Sequence, residues 1–188
     1  MSLFTIEHGK TAYRIDFAVY GSIVGVLAAV LLVAGPRDRQ WEILVATLAG
    51  AFGWTFIEYA LHRFVLHGLP PFSRWHAEHH DRPTALICAP TILSGTLIAG
   101  LVFLPAWLLA DLWLACALTL GLLAGYLGYA VMHHATHHWR AGSDWARRRK
   151  HWHARHHHAS APGCYGVTTA FWDRVFGSTG RLPVAAHG

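Results

Sequence analysis

At 188 residues the chain is long enough for one domain, and its composition excludes an ordinary soluble one: 54% of residues are hydrophobic, 13% are charged and nine are Trp. A bilayer is the natural solvent for much of such a chain. The net charge of +5 does not indicate nucleic acid, because the basic residues flank apolar runs and form no continuous stripe; membrane orientation and anionic headgroups account for them.

Met1 to Asp16 lacks the basic-then-apolar pattern of a cleaved leader, so the first apolar run is read as a retained span. That run, Phe17 to Ala34, is closed by Gly35-Pro36 and is long enough to cross a hydrocarbon core of ~30 Å. After the polar turn Arg37-Asp38-Arg39, a second span runs from about Ile43 to Leu61 and leaves through Glu58, Tyr59, His62 and Arg63. Leu86 to Ala110 is a third span, and Asp111 separates it from a fourth, Leu112 to Met132. Pro105 either kinks the third helix or marks the start of the turn. The pattern predicts an all-α integral membrane protein, a single domain over 1–188, with four transmembrane helices in two hairpins. Polar segments at 62–85 and 133–180 form a histidine-rich helical cap. Of the 15 Lys and Arg residues only Arg37 and Arg39 fall on the side opposite this cap, so the positive-inside rule makes the cap and both termini cytoplasmic.

The three cysteines, Cys88, Cys116 and Cys164, are widely spaced and read as packing residues, with no disulfide framework or Cys-based zinc motif.

The chemistry lies in the 16 histidines. His76, His79 and His80 stand at i, i+3 and i+4, a spacing that projects imidazoles to one side of a helix, and His153, His156 and His157 repeat it. His133 and His137 share one face of the fourth span as it emerges from lipid, and His134 and His138 form a second pair about 100° round. His62 and His67 are five apart, too far round for a regular helical pair, which predicts a helix that ends or bends between Arg63 and Gly68. Imidazole suits zinc, iron, copper and nickel, and one ion rarely takes more than four protein ligands. His62, His67, His76, His79, His80, His133, His137, His153, His156 and His157 therefore suffice for two ions, with five ligands each or with some histidines held behind the ligands. His134, His138, His151 and His158 are left open, and His8 and His187 read as incidental. A metal transporter or metal-binding protein is the alternative of another class, but it would place ligands inside the spans, whose middles lack histidine. A zinc hydrolase would need a base near an open zinc position, and Glu78 is the residue that would supply it.

The order His-x4-His, His-x2-His-His, His-x3-His, His-x2-His-His, together with the closing Gly166-Val-Thr-Thr-Ala-Phe-Trp-Asp-Arg-Val-Phe-Gly177, resembles the fatty acid hydroxylase and sterol desaturase superfamily. Glu58 to His67 and the closing stretch look most like fatty acid 2-hydroxylases lacking the cytochrome b5 domain. The resemblance implies a non-haem di-iron monooxygenase of lipid biosynthesis that uses O2 to hydroxylate an acyl chain, at C2 by analogy, with those ten histidines as metal ligands. Desaturation or carotenoid ring hydroxylation is the alternative within the same chemistry. Zinc could fill the same histidines in isolated protein.

Trp54, Phe56, Tyr126 and Tyr129 are candidate acyl-chain contacts, although membrane packing is the simpler role for each. Glu58, Glu78, Asp81 and Asp173 are carboxylates that either orient imidazoles or pair with Arg63, Arg82 or Arg174. The basic run Arg147 to Lys150 faces anionic lipid or an acidic electron-transfer partner. The chain carries no flavin, nicotinamide or haem-attachment motif, so a separate electron donor is expected. Small size and the lack of a fused redox domain point to a bacterial inner membrane.

Overall fold

The computed structural model describes residues 7–158 and 163–180; His187, the N-terminal residues 1–6 and residues 159–162 lie outside them. The described residues are helical, with one isolated antiparallel bridge, Glu7 to Ile87, and no strand. In chain order the helices are α1 (Lys10–Ala34), α2 (Gln40–Ala60), α3 (Phe72–Asp81), α4 (Thr91–Ile98), α5 (Leu104–Leu109), α6 (Leu112–His138), α7 (Asp144–His158) and α8 (Phe171–Val175). A π-helical turn, Leu61–Leu66, prolongs α2, and another, Ala99–Phe103, joins α4 to α5. Four helical stretches are long and apolar enough to cross a membrane: Lys10–Ala34, Arg37–Leu66, Thr91–Leu109 and Leu112–His138. The protein is thus an all-α integral membrane protein, as its hydropathy predicts.

The boundaries differ from the sequence reading for identifiable reasons. The first helix begins seven residues before Phe17, at Lys10, because Lys10 to Asp16 continues the helix as about two more polar turns. The third begins at Thr91, since Pro90 sets the cap and Leu86 to Ala89 stay non-helical. Pro105 does not end that span. It has no N–H to donate, and the preceding turn widens so that Leu104 N–H reaches back to Ala99 O.

The chain divides into two compact units, Met1–Trp54 with Ala85–Leu127, and Thr55–Thr84 with Gly128–Gly188. In the first, Leu31, Ile43 and Ala117 form a buried cluster with Trp113, Cys116 and Leu120 packed against it. Here α2 and α6 touch backbone to backbone: a Cβ on Gly50 would lie 2.1 Å from Leu118 O, and one on Gly121 would lie 1.8 Å from Thr47 O. The two short connections are also tied. Arg39 Nη2 donates to Asp111 Oδ2 at 2.7 Å, while Asp111 Oδ1 caps α6 by accepting from Trp113 N and Leu114 N at 2.8 and 3.1 Å. Arg39 holds the Asp111 carboxyl below the usual range. Outward-facing Leu32, Val33, Leu108 and Leu109 leave an apolar surface suited to lipid.

In the second unit, residues 163–178 fold against the end of α2. Tyr59 stacks on Phe176 with ring centroids 5.5 Å apart, its hydroxyl shares a hydrogen bond with Ser178 Oγ at 2.9 Å, and Trp172 Nε1 donates to Thr55 Oγ1 at 3.0 Å.

Candidate metal centre

Four elements of the second unit bring the predicted histidines together: the π-helical end of α2, helix α3, the end of α6 and helix α7. The ten divide into two groups of five, His62, His67, His76, His80 and His156 in one, His79, His133, His137, His153 and His157 in the other. Within each group one nitrogen from every residue lies within 4.8 Å of all the others. Each His-x2-His-His box is split between the groups. His76 and His80, four apart, face the first while His79 faces the second; on α7, His153 and His157 face the second while His156 faces the first. A single common face for His76, His79 and His80 is therefore too simple. Residues at i+3 and i+4 differ by about 100° of rotation, enough to address two neighbouring points.

The His62–His67 pair is explained by the π turn. Five residues overshoot an α-helical turn by about 140°, but a wider i→i+5 turn returns His67 toward the side of His62. The helix runs on through Arg63 as this π turn and ends at Leu66, within the Arg63 to Gly68 interval that the spacing predicts.

The donor chemistry of the first group fits a cation. His62 Nδ1–H donates to Tyr165 O at 2.6 Å and His156 Nδ1–H to Gly163 O at 2.9 Å, so both present a bare Nε2 lone pair inward. The Nε2 atoms form a chain of close approaches: His62 to His76 at 3.0 Å, His76 to His80 at 3.0 Å, His80 to His156 at 3.0 Å and His156 to His67 at 3.1 Å. Neutral imidazoles satisfy such a chain only by alternating acceptor and donor. Starting from His62 as acceptor, alternation makes His156 a donor, yet Gly163 holds its proton on Nδ1. The contacts cannot all be hydrogen bonds, whereas lone pairs directed at one ion satisfy every one. In the second group His79 and His133, His137 and His153, and His153 and His157 approach through Nε2 at 3.1, 2.8 and 3.1 Å. Separations near 3 Å match adjacent ligands on a sphere of about 2.1 Å radius, the usual metal–imidazole distance.

Burial supports the neutral form that a ligand needs. It pushes His67 from 6.5 down to about 4, His79 and His156 to about 3 and His157 to about 2, with neighbouring histidines adding to each. His76, His80 and His153 shift the same way for the same first cause.

His134 and His138 stack on one another with centroids 4.4 Å apart and, like His151 and His158, belong to neither group. No hydrogen bond from an imidazole of either group to a carboxylate is found among the described residues. Glu78 instead pairs with Arg82 on the surface. Glu58 and Asp173 act one step behind. Buried Glu58 accepts from Val167 N at 2.6 Å, Thr168 N at 3.0 Å and the Thr168 hydroxyl. Fully buried Asp173 accepts from Tyr165 N at 2.9 Å, Gly166 N at 2.8 Å and Ser178 Oγ at 2.8 Å. They hold the strand of chain whose carbonyls orient His62 and His156. Those carbonyls, on Gly163 and Tyr165, escape sequence reasoning because a backbone acceptor has no residue signature; the only hint is a Gly-Cys-Tyr-Gly run before the recognised closing stretch.

Trp54 and Tyr126 pack edge to face at 5.1 Å, and Phe56 does so on Trp172 at 5.0 Å, while Tyr129 stacks on His133 at 5.7 Å. In the first unit His8, read as incidental, and Cys88, read as a packing residue, meet at Asp16: His8 Nδ1 lies 3.0 Å and Cys88 Sγ 3.8 Å from Asp16 Oδ2. Burial pushes the Cys88 thiol up to about 12.

Comparison with known proteins agrees with this arrangement. The chain is 31% identical over 153 residues to ceramide very long chain fatty acid hydroxylase scs7 of Schizosaccharomyces pombe, covering 72% of this chain and 42% of that protein. It is 32% identical over 177 residues to dihydroceramide fatty acyl 2-hydroxylase FAH2 of Arabidopsis thaliana, covering 86% of this chain and 72% of that one. The fatty acid 2-hydroxylase of Homo sapiens is 29% identical over 143 residues, 69% of this chain and 38% of the human protein. The chain thus spans about two fifths of the length of the yeast and human relatives. A solved structure described as full-length scs7p with only its hydroxylase domain visible superposes with a TM-score of 0.77 at 28% identity, over 92% of this chain and 67% of that one. The fatty acid hydroxylase profile matches residues 47–178, which hold all ten grouped histidines and both carboxylates behind them, and the chain belongs to that family.

Proposed function

We infer that this protein is an O2-dependent hydroxylase of lipid acyl chains, acting at C2, with two iron ions held by the two groups of five histidines. The observation that carries the reading is the pair of convergent imidazole groups, placed within a fold whose relatives are named as fatty acyl 2-hydroxylases. When bound, the iron pair supplies O2 activation and attack on an unactivated C–H bond. The chain's own residues perform the rest. Ten imidazoles provide neutral donors, and the Tyr165 and Gly163 carbonyls keep the protons of His62 and His156 on the outward nitrogen. Glu58 and Asp173 hold those carbonyls in place. His62 and His133 stand near the ends of helices whose preceding residues are apolar, which suits a substrate with its chain in lipid and its polar head at the interface. The excess of Lys and Arg on the polar segments supports a site on the cytoplasmic side. Reducing equivalents come from a separate electron-transfer protein.

Lipid mass spectrometry of cells expressing the full chain, with and without His76→Ala, tests this. Acyl species should gain one oxygen atom at C2 with wild type alone, and purified protein should need iron, O2 and a reductant; zinc-loaded protein should be inert. Loss of two hydrogens instead would establish desaturation, and oxygenation unaffected by His76→Ala would refute the metal assignment.

A further inference from the structure

We propose that the cleft between α7 and residues 168–174 binds the phosphate group of a membrane lipid, gripped by Arg148, Arg149 and Arg174. The cleft has a volume of about 570 Å³, and its lining combines four arginines with His151, Trp145, Trp152 and the Thr168 and Thr169 segment, with no carboxylate among the described lining residues. Cation clusters on a surface are normally relieved by acids or by water. Arg147 is relieved in this way by Asp144, on the exposed side of the helix.

Arg149 is not. Its Nη1 is buried without a hydrogen-bond partner, and its guanidinium packs over the Trp152 ring at 5.6 Å. The carboxylates that act on it through space are Asp173 and Glu58, and each already accepts three hydrogen bonds from the 165–168 backbone, Thr168 or Ser178. A desolvated guanidinium with an unused donor is costly. An oxyanion seated in the cleft would remove that cost by accepting from its fork. Several arginines around one concavity suit phosphate, whose oxygens accept from more than one fork at once.

The surroundings indicate that the phosphate is carried by a lipid. Trp145, at the cleft, is 53% exposed, and the short helix that supplies Arg174 exposes Phe171 and Val175, with Phe176 exposed at its C-cap. Exposed aromatics next to basic residues are the signature of a headgroup-depth surface. A soluble phosphate would need only the arginines. An acidic protein partner would call for a broad patch of about 800 Å² rather than a concavity of headgroup size. The proposal does not depend on the chemistry at the histidines, since binding is read without turnover.

The test is native mass spectrometry of the full chain in neutral detergent, titrated separately with dihexanoyl phosphatidate, dihexanoylglycerol, inorganic phosphate and hexaglutamate. Phosphatidate should bind saturably and the others at least about tenfold more weakly. The double variant Arg148→Gln with Arg174→Gln, both exposed side chains, should weaken phosphatidate by about tenfold or more with an unchanged unfolding midpoint. Arg149→Lys should not restore what Arg149→Gln loses, because an ammonium lacks the fork. Equal binding of phosphatidate by wild type and the double variant would overturn the proposal. So would dihexanoylglycerol or inorganic phosphate binding as well as phosphatidate, or hexaglutamate alone titrating the cleft, which would assign it to an acidic protein.

Discussion

Asp173 and Glu58 show how a residue without a hydrogen bond to a candidate metal ligand can still position it. Asp173 accepts from Tyr165 N, and Tyr165 O in turn receives the His62 Nδ1 proton. Asp173→Asn keeps the shape but turns one acceptor into a donor facing buried N–H or O–H groups. It should destabilise the protein by about 2–4 kcal/mol and lower metal content, read by thermal unfolding and elemental analysis. Glu58→Gln should do the same more mildly, by about 1–3 kcal/mol, since its remaining oxygen can keep both backbone N–H groups while the new amide donates to the Thr168 hydroxyl, which can accept. The histidines set the pH response. Unfolded imidazoles take up protons below about 6.5, whereas folded His67 resists until about 4, His79 and His156 until about 3 and His157 until about 2. Between those values the unfolded chain binds more protons, so stability rises with pH there and levels off above 6.5. Unfolding midpoints measured from pH 8 down to pH 4 should hold until about 6.5 and then fall, with bound metal lost in the same window.

At the scale of elements, α3 and α7 each contribute to both histidine groups because adjacent residues of one box point to different groups. His79→Ala and His80→Ala, one residue apart, should therefore deplete different sites. Each should leave about one ion per chain by elemental analysis, and the double variant should hold still less. The α2–α6 contact makes an independent prediction. Gly121→Ala on α6 places a methyl 1.8 Å from Thr47 O, a backbone atom that cannot swing aside, while Gly53→Ala on α2 meets nothing within 4 Å. Gly121→Ala should cost about 1–3 kcal/mol or more and lower the unfolding midpoint in detergent, with Gly53→Ala as the neutral control. Both π turns were beyond sequence reasoning in different degrees. Pro105 signalled a disturbance in the third span and the His62–His67 spacing one at the end of the second, each without its form, because a π turn is selected by what its side chains reach and not by local propensity.

For the molecule as a whole, ten lone-pair nitrogens in two tight groups imply that metal and folding are linked. Chelation should lower the unfolding midpoint, and the ions should leave in two steps. The first group should release its ion later, because backbone carbonyls hold His62 and His156 in the ligating tautomer, whereas Nδ1 of His79, His153 and His157 has no hydrogen-bond partner. Metal per chain against chelator concentration, in wild type and His153→Ala, reads that order. The sequence by itself determined the four apolar helices, their order, the polar segments that carry the histidines and the ten candidate ligands. Hydropathy and imidazole spacing are local properties, written within one helix turn or one span. Only the tertiary structure decided which five histidines form each group, that Gly163 and Tyr165 orient them, and that Glu58 and Asp173 stand behind the backbone instead of beside the imidazoles. Those relations join residues as far apart as His62 and Tyr165, and distances across such separations are set by packing, which no local pattern of residues encodes.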